Sequence, residues 1–351
     1  MASLQTLRSQ FTQSLKDFAS SPSSTFKILN SIPPSSPPSS SPIRTLYVLD
    51  SSFNPPSKAH LALVKNALRA SSKVISAASK SQQNENDLSP GPPPSHTKSR
   101  VLFLLATVNA DKSPEPAAFP DRLVMMTLMA KELRASFQSS SVSSSGVDID
   151  IGVTKEPYFI DKATSIDESG VYTTHSPNAE EHFEQIHLTG FDTLVRIFTA
   201  KYYPNHTPPL SALEPFLTRH RVRATVRVDE KSPSKNLQQT TTTSGSGSGG
   251  RDLSSIDGQK AYLRGLGNGD LEAEGMKREW AERVELVVDE TGETEGVSST
   301  KIRNAVKEGK WDDVAGLVGR EVGEWVSDAM LYIDRVFWQK LSTRFISTQE
   351  I

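Results

Sequence analysis

Cysteine is missing from this 351-residue chain. Its absence excludes disulfides, thiol catalysis and cysteine-ligated zinc, and it fits a reducing compartment. Histidine does not fill the gap: the 7 histidines show neither an HExxH pair nor the spacing of a zinc site. Charge of one sign is also missing. The formal net charge is -2, so no basic field points to a nucleic-acid partner. Long apolar runs are absent as well. The longest strongly apolar stretch, Val101 to Ala106, is far too short to span a bilayer. The expectation is a protein with neither a nucleic-acid nor a membrane partner.

Serine and proline are abundant, and they are unevenly placed. Residues 31–42 are Ser and Pro apart from Ile32, and three further polar stretches cover 77–99, 138–146 and 231–255. Such composition buries too little apolar surface to offset its ordering entropy. The chain therefore divides into an N-terminal amphipathic helix (1–30), a Ser/Pro linker (31–42) and a domain (43–310) with insertions at 77–99, 138–146 and 231–255. A helical extension (311–351) packs on that domain. In the first segment Leu4, Leu7, Phe11, Leu15 and Phe18 recur at helical spacing. The segment is Ser-rich with one acid, as transit peptides are, but its low arginine content favours a helix packed on the domain.

Between the polar stretches lie apolar runs of strand length: 45–49, 101–105, 147–153, 186–189, 222–228 and 285–288. Helical patterns alternate with them at 61–70, 120–135, 179–184, 192–202, 258–266 and 299–307. Alternation of this kind predicts an α/β fold: a Rossmann-like, doubly wound parallel sheet with helices on both faces. Ligands then sit at the carboxyl ends of the strands, near the switch point of the sheet.

The first strand ends in "LYVLDSSFNPPSKAH", Leu46 to His60. Ser57 is a good N-cap for a helix beginning at Lys58. The free N–H groups of that first turn make an anion site, with His60 in reach and Lys58 adding charge. Two readings stand: a capped turn with a surface histidine, or a turn built to hold phosphate. Far downstream "VSSTKIR", Val297 to Arg303, repeats the physics. Ser298, Ser299 and Thr300 offer hydroxyls and N–H groups at a helix start, and Arg303 offers a planar fork for phosphate oxygens.

These strings carry a resemblance. "SSFNPPSKAH" resembles the signature of the HxGH nucleotidyltransferases, and most closely that of the nicotinamide/nicotinate mononucleotide adenylyltransferases, through Ser52, Phe53, Asn54, Pro55 and His60. Ser57 stands where that family has His or Thr. "VSSTKIR" resembles the family's second signature. "HLTGFDTLVRIF" resembles its G-x-D-x-L segment, with Gly190 and Asp192 at the matching places; Asp192 also suits an N-cap. "LLATVNADKS" and the helix after it resemble the strand, loop and helix that face the acceptor, through Asn109, Asp111, Lys112, Arg122 and Met125. Tyr158 and Phe159 follow the next strand, where they would stack on a base or pack in the core. One departure is plain: Trp280, Trp311, Trp325 and Trp338 all lie late in the chain, whereas family members often stack the nicotinamide ring on a mid-chain tryptophan. The layout looks most like the fungal, cytidylyltransferase-like branch of these enzymes.

The resemblance implies adenylyl transfer from ATP to nicotinamide or nicotinate mononucleotide, giving NAD or its acid form and pyrophosphate. It implies His60 and Arg303 as catalytic residues. For ATP it implies Ser52, Phe53, Asn54, Ser57, Lys58, Gly190, Asp192, Ser298, Ser299 and Thr300, and for the acceptor Asn109, Asp111, Lys112, Tyr158 and Phe159. Mg²⁺ would ride on the ATP phosphates, without a protein metal cage. The implied compartment is cytoplasm, nucleus or both. Two alternatives remain open. One is the same fold with another acceptor: phosphopantetheine, FMN or a CTP-dependent alcohol phosphate. The other is a nucleotide-binding protein with a protein quality-control role and weak catalysis.

Overall fold

The apolar runs pair side by side into one seven-stranded sheet. The structure is a computed structural model; it describes residues 2–38, 43–82, 99–108, 117–138, 147–173, 183–226, 252–289, 292–294 and 296–333. The strands are β1 (Phe26–Ile32), β2 (Thr45–Asp50), β3 (Ser99–Ala106), β4 (Asp148–Thr154), β5 (Glu184–Gly190), β6 (Arg221–Val226) and β7 (Val284–Val288), in the order β1-β4-β3-β2-β5-β6-β7. Strands β2 to β7 are parallel throughout. β2 lies at the centre, and Leu46, Tyr47, Val48 and Leu49 are all buried. That explains its continuous apolar run: both faces of a central parallel strand are covered.

The helices are α1 (Ala2–Ser20), α2 (Lys58–Gln82), α3 (Phe119–Gln138), α4 (Phe159–Glu168), α5 (Phe191–Ile197), α6 (Glu214–Leu217), α7 (Ile256–Asn268), α8 (Ser299–Lys307), α9 (Trp311–Leu317) and α10 (Arg320–Asp328). Side chains of α1, α2, α3, α8, α9 and α10 share one buried cluster on one face of the sheet, which includes Phe11, Val64, Met126, Ile302, Val314 and Trp325. The opposite face carries two smaller clusters, centred on Ile166 and Tyr172 and on Phe191, Phe216 and Leu266. From β2 the chain winds outward to β3 and β4, then returns to β5 beside β2 and winds the other way. The switch point is therefore the crevice between β2 and β5.

Several elements differ from the sequence reading. Residues 26–32, assigned there to the helix end and linker, form β1, an antiparallel edge strand on β4 with a register shift between Ile28 and Asn30. The bulge breaks the two-residue alternation by which a strand is read from sequence. The stretch after Tyr158 forms α4, which has no side-chain cap to announce it. Of the helix expected at 179–184, Glu184 instead opens β5, and 174–182 lie outside the described residues. The helix expected at 192–202 stops at Ile197, and a 3-10 turn follows at Ala200–Tyr202. α2 runs on to Gln82, into the first expected insertion.

A buried polar network ties β1 down. Arg100 on β3 forms a double hydrogen bond to Asp150 on β4, with distances of 2.9 and 2.6 Å. Ser31 of β1 and Tyr172 donate to the same carboxylate at 2.7 and 3.0 Å. Each charge in this network is paired, which is the condition for burying it.

Candidate active site at the sheet switch point

The loop 51–57 leaves the carboxyl end of β2 and delivers the chain to α2. Ser51 N–H donates to the Leu104 carbonyl at 3.2 Å, fixing the loop's start to β3. Phe53 adopts φ 44°, a left-handed conformation that non-glycine residues seldom take. Its ring is fully buried, with its centroid 5.3 Å from that of His60 and 5.9 Å from that of Phe103. Packing on both sides holds the strained backbone in place.

His60 is the third residue of α2, and its ring folds back over the helix start. Ser57 N–H donates to Nδ1 at 3.0 Å, and Ser57 Oγ lies 2.8 Å from the same nitrogen. This is the back-reaching half of a capping box, with imidazole in the place usually held by Glu or Gln. A nitrogen that accepts a backbone N–H carries no proton of its own. The ring hydrogen therefore sits on Nε2, which faces Ser51 Oγ at 2.9 Å. His60 thus has a single oriented N–H donor, aimed at Ser51 just past the carboxyl end of β2.

The second loop meets the first across 249 residues of sequence. Ser298 caps α8 by accepting Lys301 N–H at 3.2 Å. Ser299 Oγ donates to the Pro55 carbonyl at 2.8 Å, and Arg303 Nη1 to the Asn54 carbonyl at 2.7 Å. Arg303 Nη2 also donates to Thr300 Oγ1 at 3.1 Å. Ile302, Ala305 and Val306 are buried beneath, so α8 is seated with its amino end at the loop. The fold thus joins the two strings whose residue types suggested phosphate handling.

Other expected site residues are spread more widely. Ser52 is exposed beside this junction. The Asn54 amide is buried: Oδ1 accepts from Tyr332 OH at 2.8 Å and from Ala117 N–H at 3.4 Å, so this side chain braces the loop. Lys58 Nζ donates to the Ala315 carbonyl on α9 at 3.0 Å. Gly190 is the N-cap of α5 at the end of β5, and Asp192 is exposed in the first turn, so Asp192 is not the cap. Tyr158, at the start of α4, is 40% exposed. Phe159 packs edge-on against His187 and Phe216, with centroids at 4.8 and 4.9 Å. Arg122 is buried and donates to the Ala117 carbonyl at 2.8 Å. Asn109, Asp111 and Lys112 lie outside the described residues. Among the described residues no group of three or more His, Asp or Glu is placed to hold a metal ion, and no helix is long and apolar enough to cross a membrane.

Sequence reasoning assigned no role to Ser51, which faces His60, to Tyr332, which donates to Asn54, or to Lys162, which pairs with Asp50 at the end of β2. Ser51 adjoins the signature and could have been found by asking which hydroxyl meets His60 Nε2. Tyr332 and Lys162 reach the site only through tertiary packing, and no local pattern marks them.

No family model matches the chain. A Schizosaccharomyces pombe protein described as "Putative nicotinamide mononucleotide adenylyltransferase" is 27% identical over 279 residues, a match covering 80% of this chain and 82% of that one. Among solved structures, Plasmodium falciparum nicotinic acid mononucleotide adenylyltransferase, complexed with APC or with NaAD, is 13% identical and covers 82% of this chain and 97% of its own. The TM-scores, 0.41 and 0.42, add nothing to what the strand order establishes by itself. The chain is thus similar along 80% of its length to one curated relative, and the fold brings its two signature loops into contact.

Proposed function

We propose that this protein transfers the adenylyl group of MgATP to nicotinamide or nicotinate mononucleotide, releasing pyrophosphate. An oxygen of the acceptor's 5′-phosphate attacks the α-phosphorus in line, and the bond from that phosphorus to the α,β-bridging oxygen breaks. The attacking group is already an anion, so neither a general base nor a covalent nucleophile is required. Catalysis then rests on positioning and on charge stabilisation. Nε2–H of His60 donates to the α-phosphate as charge builds there. Arg303 spends two of its five N–H donors on Asn54 and Thr300; the others serve the leaving pyrophosphate, together with the N–H groups at the start of α8. Magnesium arrives on the triphosphate. A chain without cysteine suits this activity in a reducing compartment, cytoplasm or nucleus.

The observation that carries this reading is the single oriented donor: Ser57 N–H on Nδ1 leaves His60 with its hydrogen on Nε2, beside the loop that Arg303 holds. The test is NAD formation and pyrophosphate release by the purified chain with ATP, Mg²⁺ and each mononucleotide. His60→Ala and Arg303→Ala should each lower turnover by roughly 10²-fold or more, the usual cost of a lost transition-state donor. Near-wild-type turnover in both would overturn the site assignment.

A further inference from the structure

On the α4 face of the switch point lies a cation that the two signatures do not account for. Lys162 of α4 reaches the carboxyl end of β2 and pairs with Asp50 at 2.6 Å. The lysine side chain is only 11% exposed and the aspartate 25%. An ammonium has three donors, and among the described residues Asp50 is the one side chain that accepts from this one. Thr189 of β5 adds a second unfilled group: its hydroxyl is buried and has no hydrogen-bond partner among the described residues, in a residue 9% exposed. β2 and β5 run parallel with Val48 opposite His187. Two residues further along each strand come Asp50 and Thr189, which the two-residue period carries to the same face and the same end. A largely buried ammonium with donors to spare and a hydroxyl without a partner thus both lie at the carboxyl ends of β2 and β5, where a ligand's oxygens would satisfy both.

We propose that Lys162, held by Asp50 and assisted by Thr189, binds an anionic group of the acceptor nucleotide. This deepens the function proposed above and rests on it. Bringing a phosphate monoester to a triphosphate sets two anions side by side. His60 contributes a neutral donor and Arg303 is committed to the α8 side, so the α4 side needs a positive charge of its own. The acceptor offers two such anions, its 5′-phosphate and, in the nicotinate form, its ring carboxylate.

The experiment measures by calorimetry the affinities of nicotinamide mononucleotide, nicotinate mononucleotide, the two corresponding ribosides and ATP. The proteins are wild type, Lys162→Met, Lys162→Arg, Asp50→Asn and Thr189→Val. Lys162→Met should weaken the anionic acceptor by about tenfold or more, the scale of a charge-assisted hydrogen bond, and leave ATP within about threefold. Loss confined to the phosphate-bearing pair assigns the phosphate, and loss confined to the nicotinate pair assigns the carboxylate. Lys162→Arg should restore most of the affinity, and Asp50→Asn should keep the preference for the anionic acceptor. Thr189→Val should weaken acceptor binding a few-fold while leaving the melting temperature equal or higher, because it removes an unpaired buried hydroxyl. If Lys162→Met and Asp50→Asn lose all ligands alike and lower the melting temperature alike, the pair merely clamps α4, and the proposal is overturned. Acceptor binding that ignores Lys162 overturns it as well. Wild type that binds neither mononucleotide overturns this inference and the function above. Wild type that binds them through Lys162 yet makes no NAD overturns only the function.

Discussion

At the scale of single residues, the site depends on which nitrogen of one imidazole carries hydrogen. Two groups of Ser57 meet Nδ1 of His60, the backbone N–H and the hydroxyl. The main-chain contact survives any side-chain replacement other than proline. Ser57→Ala should therefore keep turnover within about tenfold of wild type, against the roughly 10²-fold expected for His60→Ala. Steady-state kinetics on the two variants checks this, and equal losses would mean that the hydroxyl, not the backbone, sets the tautomer. A histidine at the third position of a helix after Ser was readable from "PPSKAH". The back-folded ring was not, because it depends on loop torsions such as φ 44° at Phe53. Phe53 itself reads as an ordinary apolar residue; what makes it unusual is its backbone conformation.

At the scale of elements, β5 carries function on one side chain and stability on its neighbour. His187 lies two residues before Thr189 on the same face. It is buried against Phe159 and Phe216, and its Nε2 lies 2.9 Å from the Gln185 amide oxygen. Burial, aided by the charges of His220 and Lys162, pushes its pKa down from 6.5 to about 3. The folded state therefore refuses a proton that the unfolded chain binds. Stability from this group is complete above pH 6.5 and is lost progressively as pH falls from there toward 3. Between pH 7 and pH 5 the loss should be about 2 kcal/mol. Urea unfolding at the two pH values should show it in wild type, and His187→Leu should flatten the dependence by about that amount. An unchanged slope in the variant would assign the pH dependence to other groups. The strand itself was legible as an apolar run, as were β2, β3, β4, β6 and β7. β1 escaped because its bulge scrambles the alternation. α4 escaped because it begins at Phe159 after Pro157, with no capping side chain to mark it.

At the scale of the molecule, residues far apart in sequence complete one loop. Tyr332 lies beyond the last described helix, yet its buried hydroxyl donates to the Asn54 side chain. Val314, Val318, Val322, Trp325 and Val326 carry it there by joining the cluster that packs α2 and α3. The sequence reading set 311–351 apart as a helical extension packed on the domain; α9 and α10 share the buried cluster of α2 and α3. Tyr332→Phe should cost about 1–3 kcal/mol, the price of leaving a buried acceptor short of a donor, and it should lower turnover because the Asn54 carbonyl anchors Arg303. Thermal unfolding and kinetics together check this. Stability lost with turnover unchanged would show that the brace does not reach Arg303.

The same bond has a consequence for how the protein is made. Asn54 and Tyr332 are 278 residues apart, and at translation rates of roughly 5–20 residues per second their syntheses are separated by on the order of half a minute. Throughout that interval the nascent chain carries a finished signature loop without its clasp. Activity should accordingly appear only after residue 332 has cleared the ribosome. A transcript cut short anywhere between α8 and Tyr332 would yield chains that hold every signature residue and still lack the contact that sets the loop.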